Sequence, residues 1–226
     1  MPGGFAEYVK APIRNLVCTR LGPESAILAD AGATVHRALK RAELEPGSNV
    51  VVVGVGGLGD MAIQLSKLRG ASVIALDIDA AKLAYAREMG ADFVDDIRGS
   101  SARDVKEFVL SHLDGKLIDV VIDLVGNESS QEVASEVVAK GGKILQVGYS
   151  ATTSFSKLHT KDVVYRMIQI IGSRGCTLND LYEIVALAER GLVKLNVTTK
   201  FSLDDVNSAI DDLRRGKILG RAVIIP

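Results

Sequence analysis

Apolar and polar residues follow two different rhythms along the middle of this chain. Short apolar runs rich in valine and isoleucine occupy residues 50–53, 72–76, 93–94, 118–124, 143–147 and 168–171. Between them, apolar positions recur every three or four residues, at 58–69, 80–89, 102–112 and 129–139. The first kind of segment predicts strands buried on both faces, and the second kind predicts amphipathic helices. Their alternation predicts an α/β protein with a doubly wound, parallel, six-stranded sheet.

The two flanks of the chain do not follow this alternation. Before it, the pattern predicts a short strand at 5–10 and a helix at 35–42. After it, the pattern predicts a helix at 178–190, a strand beginning at Phe201 with a helix behind it, and a last strand at 220–226. Glycines are expected to end several helices, among them the pair at 141–142 for the helix at 129–139.

A glycine-rich turn follows the first predicted strand, with the sequence Gly54-Val55-Gly56-Gly57-Leu58-Gly59, and Asp77 ends the next strand. Gly54 would allow a sharp turn, Gly56 would let a pyrophosphate approach the backbone, and Gly59 would let the helix pack on the strand. The first N–H groups of that helix, including those of Gly57 and Leu58, attract phosphate. Strand, glycine turn, helix and acid in this order predict a dinucleotide site; a similar turn in another doubly wound sheet is the alternative.

The expected dinucleotide is NAD rather than NADP. Asp77 is placed to accept hydrogen bonds from the ribose hydroxyls, and its charge would repel a 2′-phosphate. Ile78, the next residue, offers no basic partner for such a phosphate. Asp60 puts an acid in the first turn of the helix, where it is expected to weaken anion binding slightly.

Two further turns lie at the carboxyl ends of predicted strands, Val125-Gly126 and Val147-Gly148. The crevice of an open parallel sheet lies at that edge. We therefore predict that both turns contact the cofactor, although a purely structural role as turns is also open.

Composition narrows the class of protein. The net charge is −1, with no long basic or acidic block, so no nucleic-acid or membrane-surface partner is expected. No apolar run is long enough for a membrane span, and the first residues lack the pattern of a signal peptide. Two cysteines, Cys18 and Cys176, are not in a metal-ligand spacing. We expect a cytoplasmic protein.

Taken in their order along the chain, the motifs resemble those of the medium-chain dehydrogenase/reductase family, in its zinc alcohol dehydrogenase branch. The matching stretches are Gly-Gly-Phe-Ala-Glu-Tyr at 3–8, Leu-Ala-Asp-Ala-Gly-Ala-Thr at 28–34, Val-Gly-Val-Gly-Gly-Leu-Gly at 53–59, Lys82 with Gly-Ala-Asp at 90–92, Gly-Gly-Lys to Val-Gly at 141–148, and Gly-Arg-Ala-Val-Ile-Ile-Pro at 220–226. In that family the cofactor domain interrupts a catalytic domain. The resemblance implies that residues 32–174 form the dinucleotide-binding Rossmann domain, and that 1–31 and 175–226 are segments of the catalytic domain.

Full-length members of the family carry a further segment before Gly3, with the catalytic-zinc cysteine and histidine and a Gly-His-Glu motif. The histidines here, His36, His112 and His159, all lie downstream. The resemblance assigns Asp30 to the third zinc ligand; capping of the following helix is its alternative role. We expect a truncated chain that binds Zn only in a full-length context and is inactive alone.

The resemblance also implies three more cofactor contacts. It puts Thr34 near the nicotinamide, Lys82 near the adenosine ribose, and Arg221 on the pyrophosphate. Each residue has a simpler interpretation, respectively a helix cap, a solvated helix face and a surface salt bridge.

The implied reaction is hydride transfer between NAD and an alcohol, aldehyde or ketone, with zinc assisting removal of the hydroxyl proton. Two alternatives stay open: a zinc-free NAD(P)H-dependent reductase of enones or enoyl thioesters, and a non-catalytic nucleotide-binding module. The expected partners are a small alcohol or carbonyl substrate and a second copy of the chain. Family members commonly dimerise through the edge of the sheet, here the sixth strand.

Overall fold

The computed structural model describes residues 4–151, 154 and 158–226. Its strands are β1 (Asn49–Val53), β2 (Ser72–Asp77), β3 (Phe93–Asp96), β4 (Ile118–Asp123), β5 (Val138–Gln146), β6 (Gln169–Gly172), β7 (Val197–Ser202) and β8 (Arg221–Ile225). Its α-helices are α1 (Ala31–Arg41), α2 (Gly57–Leu68), α3 (Ala80–Glu88), α4 (Ala102–His112), α5 (Glu128–Val137), α6 (Thr160–Arg166), α7 (Leu178–Glu189) and α8 (Val206–Arg214). No helix within the described ranges is long and apolar enough to cross a lipid bilayer.

Six strands form one parallel sheet in the order β3-β2-β1-β4-β5-β6. Alternate residues of β1 pack on opposite faces: Val50 and Val52 contact the core beneath α1 and α2, and Val51 and Val53 contact the core beneath α4 and α5. The predicted α/β class and doubly wound sheet are therefore confirmed. The chain reverses its direction of winding between β1 and β4, which opens a crevice at their carboxyl ends.

The glycine pair at 141–142 does not end a helix, contrary to the prediction. Helix α5 already ends at Val137, and β5 runs through both glycines. The pairing of β4 with β5 shifts register between Ile118 and Val120, and Gly141 has a φ of 76°. Glycine is needed here because the bulge requires a left-handed residue.

The predicted strand at 5–10 is also wrong. These residues contain no regular element, and Tyr8 and Val9 are exposed. Apolar alternation by itself cannot make a strand, because the backbone N–H and C=O groups need a neighbouring strand. Helix α1 begins at Ala31, earlier than predicted. Gly32 packs closely there, since a Cβ on it would lie 3.1 Å from the Ile184 side chain.

The carboxyl-terminal flank packs on the sheet domain through α7 and adds a small two-stranded parallel sheet of β7 and β8. His36 on α1 contacts Glu183 on α7, with 2.7 Å between Nε2 and Oε2. Arg69, which follows α2, reaches the other ring nitrogen of His36 at 3.1 Å. Burial lowers the pKa of His36, although the hydrogen bond to Glu183 opposes this. The flank is thus tied to two helices that cover the sheet.

Candidate functional site

The glycine turn lies at the switch point of the sheet. Gly54 has a φ of 95°, and its N–H donates to the Leu76 carbonyl at 2.8 Å, so the chain leaves β1 in a sharp turn. A Cβ on Gly59 would lie 2.3 Å from the Gly54 carbonyl oxygen, so only glycine allows α2 to start this close. In contrast, a Cβ on Gly56 would meet no atom within 4 Å. The turn therefore leaves an open space at Gly56.

Arg221 covers the start of α2. A Cβ on Gly57 would lie 2.0 Å from Arg221 Nε, so the guanidinium rests directly on the backbone of the first helical turn. Its Nη1 pairs with Asp30 Oδ2 at 2.9 Å. Arg221 Nε is buried and has no hydrogen-bond partner among the described residues. Together with the first N–H groups of α2, at Gly57 and Leu58, it forms a set of donors suited to a phosphate.

Asp77 joins the end of β2 to the glycine turn. Its Oδ2 accepts from the Val55 N–H at 2.7 Å, and its Oδ1 accepts from the N–H groups of Ile78 at 2.8 Å and Asp79 at 3.1 Å. The residue is buried, and Lys82 Nζ lies 4.0 Å from Oδ1. The sequence-predicted acid and lysine are therefore neighbours at one end of the crevice.

The floor of the crevice is backbone from the two other predicted turns. A Cβ on Gly126 would lie 2.4 Å from the Gly148 carbonyl oxygen, and one on Gly148 would lie 2.2 Å from the Leu124 carbonyl carbon. Val125 is partly exposed at this floor, and Val147 is half-buried beside it. The cleft between Asp77 and the floor has a volume of about 140 Å³ and is lined by Val53, Gly54, Leu76, Asp77, Ile78, Ile97, Val125, Asn127, Ser129 and Ser130.

Asp123 holds this floor in place, and the sequence reasoning missed it. Its carboxylate is completely buried, and Oδ1 accepts from the N–H groups of Val125 and Gly126, both at 2.9 Å. Oδ2 accepts from Ser130 Oγ at 2.9 Å and Gln146 Nε2 at 3.0 Å. A signal was present, because Asp123 is an acid inside the apolar run 118–124, shortly before a Val-Gly turn, much as Asp77 follows the apolar run 72–76.

Asp60 in the first turn of α2 is engaged with protein donors. Its carboxylate is fully buried and accepts from Gln64 Nε2 at 2.7 Å, Asn196 Nδ2 at 3.0 Å and Tyr85 Oη at 3.3 Å. Burial raises the pKa of Asp60. This acid ties the loop before β7 to α2.

The residues assigned to the zinc and the nicotinamide, Asp30 and Thr34, lie one helical turn apart at the start of α1, where the Thr34 N–H donates to the Asp30 carbonyl at 3.0 Å. Asp30 lies at the N-cap position of α1, yet its carboxylate accepts no bond from the helix and pairs with Arg221 instead. Thr34 is buried inside α1, so it is not a cap. Among the described residues, no group of three or more His, Cys, Asp or Glu side chains could hold a metal. Asp30 alone does not fit a zinc site, which takes three or four protein ligands.

One basic residue near the crevice was not anticipated. Arg98, in the turn after β3, donates from Nη2 to the carbonyl of Ile78. The parallel pairing of β2 with β3 brings these two turns together. No local pattern in the sequence marks this contact, because the residues are twenty positions apart.

Sheet order and glycine turn together define a Rossmann-type α/β fold. A family model described as zinc-binding dehydrogenase matches residues 57–190, more than half of the chain. The chain belongs to the zinc-binding dehydrogenase family, within the medium-chain dehydrogenases/reductases.

Several characterised proteins are similar to it. An NAD-dependent alcohol dehydrogenase of Sulfurisphaera tokodaii is 37% identical over 233 residues, covering 99% of this chain and 65% of the relative. A D-arabinose 1-dehydrogenase (NADP(+)) of Saccharolobus solfataricus is 33% identical, covering 99% and 64%. Among solved structures, acetophenone reductase of Geotrichum candidum in complex with NAD matches with a TM-score of 0.86 and 29% identity, over 100% of this chain and 63% of that chain. The chain spans about 65% of the length of the curated relatives.

Proposed function

We propose that this chain binds NAD(H) and forms the cofactor-binding part of an alcohol dehydrogenase. The observation that carries the proposal is the open space at Gly56 beside the buried, unpartnered Nε of Arg221. A dinucleotide pyrophosphate would fill that space and accept from Nε. When bound, the nicotinamide supplies the hydride chemistry, between NAD and an alcohol or a carbonyl compound. The protein's residues bind and orient it.

The proposed domains are those expected from the sequence: residues 32–174 form the cofactor domain, and 1–31 and 175–226 are parts of a catalytic domain, from which Arg221 reaches the cofactor. Two neighbouring clefts support this division, since residues of both flanks line them. The larger, about 300 Å³, includes Phe5, Ile27 and Val223, and the smaller, about 180 Å³, includes Phe5 and Leu213. The substrate would bind close to Asp30, which borders the larger cleft.

NADH is expected to bind more tightly than NADPH. The buried carboxylate of Asp77 faces the ribose end of the cleft and would repel a 2′-phosphate. Replacing Asp77 by alanine should narrow the difference in affinity between the two cofactors. Isothermal titration of each cofactor into both proteins measures this difference in affinity. Equal affinities in the unmodified protein, or tighter binding of NADPH than of NADH, would refute the assignment.

The chain alone is expected to show negligible alcohol dehydrogenase activity and to retain no stoichiometric zinc after dialysis. Asp30 is the zinc ligand that the family resemblance assigns, and it is engaged with Arg221. Metal analysis combined with an alcohol-dependent NADH assay tests this, and one tightly held zinc per chain contradicts it. NADH binding without turnover would favour the alternative of a nucleotide-binding module for the isolated chain.

Self-association through β6 is the third expectation. Within the described residues, β6 pairs only with β5, and exposed apolar side chains lie on β6 and on the segment that leads into it: Val164, Tyr165, Met167 and Ile170. The Ser173 N–H donates to Gln146 on β5, so by alternation the Ile170 N–H faces the free edge.

Ile170→Pro removes that outward donor and should shift the protein from dimer toward monomer in light scattering at micromolar concentration. Ile170→Thr keeps the N–H and serves as the control for lost apolar surface. An unmodified protein that is monomeric would show that the edge is not used.

A further inference from the structure

We propose that Asp60 and Asn196 form a positioning pair that holds Arg221 on the first turn of α2, where the cofactor's pyrophosphate would bind. The proposal rests on the proposed function, because Arg221 is expected to bind that pyrophosphate. Asp60 is completely buried, so the pair would act through the chain segment that carries Arg221 rather than by contact with the cofactor.

Two polar residues on one side of α2 bind the loop before β7. Asn196 Nδ2 donates to both carboxylate oxygens of Asp60, at 3.0 and 3.1 Å. One turn further along the helix, Gln64 Oε1 accepts from the Lys194 N–H at 2.8 Å, and Gln64 Nε2 donates to the Lys194 carbonyl at 3.3 Å. The loop is therefore attached to the same helix that begins at the glycine turn.

The segment just before Arg221 rests on this attachment. Tyr85 on α3 donates from Oη to Asp60 Oδ2 at 3.3 Å. A Cβ on Gly220 would lie 3.0 Å from Tyr85 Oη and 3.4 Å from the Asn196 carbonyl oxygen. Gly220 also has a φ of 71°, so a side chain there would be strained as well as crowded. Gly220 thus packs against the two residues that donate to Asp60, and Arg221 is the next residue along the chain.

Strand pairing gives a second link between the loop and Arg221. Val197, which follows Asn196, lies opposite Arg221 in the pairing of β7 with β8. Thr198 Oγ1 lies 3.3 Å from the Arg221 carbonyl oxygen. A shift of the loop at Asn196 would therefore move the backbone of Arg221, whose guanidinium rests on Gly57.

Asp60 would have two opposing effects on a bound anion. Its negative charge would weaken binding slightly, as expected from the sequence. Its effect on the position of Arg221 would be larger, because a guanidinium binds phosphate strongly only when its donors are correctly oriented. Replacing Asp60 by its neutral amide should therefore weaken NADH binding, whereas repulsion by the charge alone predicts tighter binding.

Isothermal titration of NADH into variants of the pair tests the proposal. Asn196→Ala breaks the link to the loop without changing any charge and should lower NADH affinity about tenfold. Asp60→Asn should lower it by a similar factor, since the new amide brings donors toward the donors of Asn196 and Gln64. Combining Asp60→Asn with Asn196→Asp again places donors opposite a carboxylate and should restore the affinity to within about threefold of the unmodified protein.

Removing Arg221 separates positioning from a general loss of structure. Arg221→Ala should itself lower NADH affinity about thirtyfold. In that background Asn196→Ala should change the affinity by less than about twofold, because its effect passes through the guanidinium. Asp180→Asn is the matched control, since Asp180 is also a buried acid in the first turn of a helix but is bonded to Thr177 and Lys40. It should change NADH affinity by less than about threefold.

Three results would overturn the assignment: unchanged NADH affinity in Asn196→Ala, tighter binding in Asp60→Asn, or an equal loss from Asn196→Ala with and without Arg221. Thermal melting shows which variants fold. Asn196→Ala leaves Asp60 bonded to Gln64 and Tyr85, so it decides the question even if Asp60→Asn does not fold. An unmodified protein that fails to bind NADH would instead refute the proposed function itself.

Discussion

Replacing Gly56 by valine is expected to abolish measurable NADH binding while leaving the fold intact. The backbone of Gly56 is extended, with φ of −97° and ψ of −158°, a conformation that valine also adopts. A Cβ at this position meets no atom within 4 Å, so the folded chain has room for it. In the proposed function that room is where the pyrophosphate approaches the backbone, and a branched side chain would fill it. We expect affinity to fall at least about a hundredfold.

Gly172→Val is the matched control for this experiment. Gly172 ends β6, far from the cleft in the sheet order, and a Cβ there also meets no atom within 4 Å. Both variants should melt within a few degrees of the unmodified protein, and only Gly56→Val should lose NADH binding in isothermal titration. NADH binding by Gly56→Val at unmodified affinity would mean that the pyrophosphate lies elsewhere.

Asp123→Ala is expected to cost about 3 kcal/mol or more of the free energy of unfolding. The alanine would remove the acceptor that four donors share: the N–H groups of Val125 and Gly126, Ser130 Oγ and Gln146 Nε2. Ser130 Oγ also donates to the Asn127 carbonyl and Gln146 Nε2 to the Gly148 carbonyl, so the main loss falls on the two backbone N–H groups. A loss of this size is a large share of the total stability of an ordinary domain. Urea denaturation followed by circular dichroism measures it.

Asp119→Ala provides the comparison on the same strand. Asp119 is exposed and accepts one bond, from the Asn49 N–H at 2.8 Å. Its replacement should cost less than about 1 kcal/mol. If Asp123→Ala destabilises the protein no more than Asp119→Ala does, the carboxylate of Asp123 is not what holds the two turns. Asp123→Asn should be intermediate, because the amide keeps one acceptor but brings two donors toward other donors.

Much of the fold could be predicted from the sequence because its signals are local. Apolar runs and helical periodicity located the six strands of the main sheet, and α4 was predicted with its observed ends, Ala102–His112. The glycine turn could be interpreted residue by residue, since turn geometry depends on neighbours in sequence. The sequence around Gly141 allowed more than one interpretation. The prediction that this glycine ends a helix was wrong, because strand pairing across the sheet decided its conformation.

The parts of the site that escaped prediction depend on distant pairs. Asp30 and Arg221 come from the two flanks, and nothing in either segment indicates that they form an ion pair. The contact of Arg98 with Ile78 likewise requires knowing that β3 lies beside β2. These relationships are set by sheet order and packing, which sequence periodicity does not specify.

The floor and the rim of the cleft differ in how freely they can change during evolution. The floor is made of glycine turns in direct backbone contact, at Gly126 and Gly148, where any added side chain collides with main-chain atoms. The rim consists of side chains such as Asp77, Ile78 and Arg98, which can be exchanged without moving those atoms. On the proposed function, a change of dinucleotide preference would therefore need few substitutions at the rim, while the floor would keep its backbone geometry.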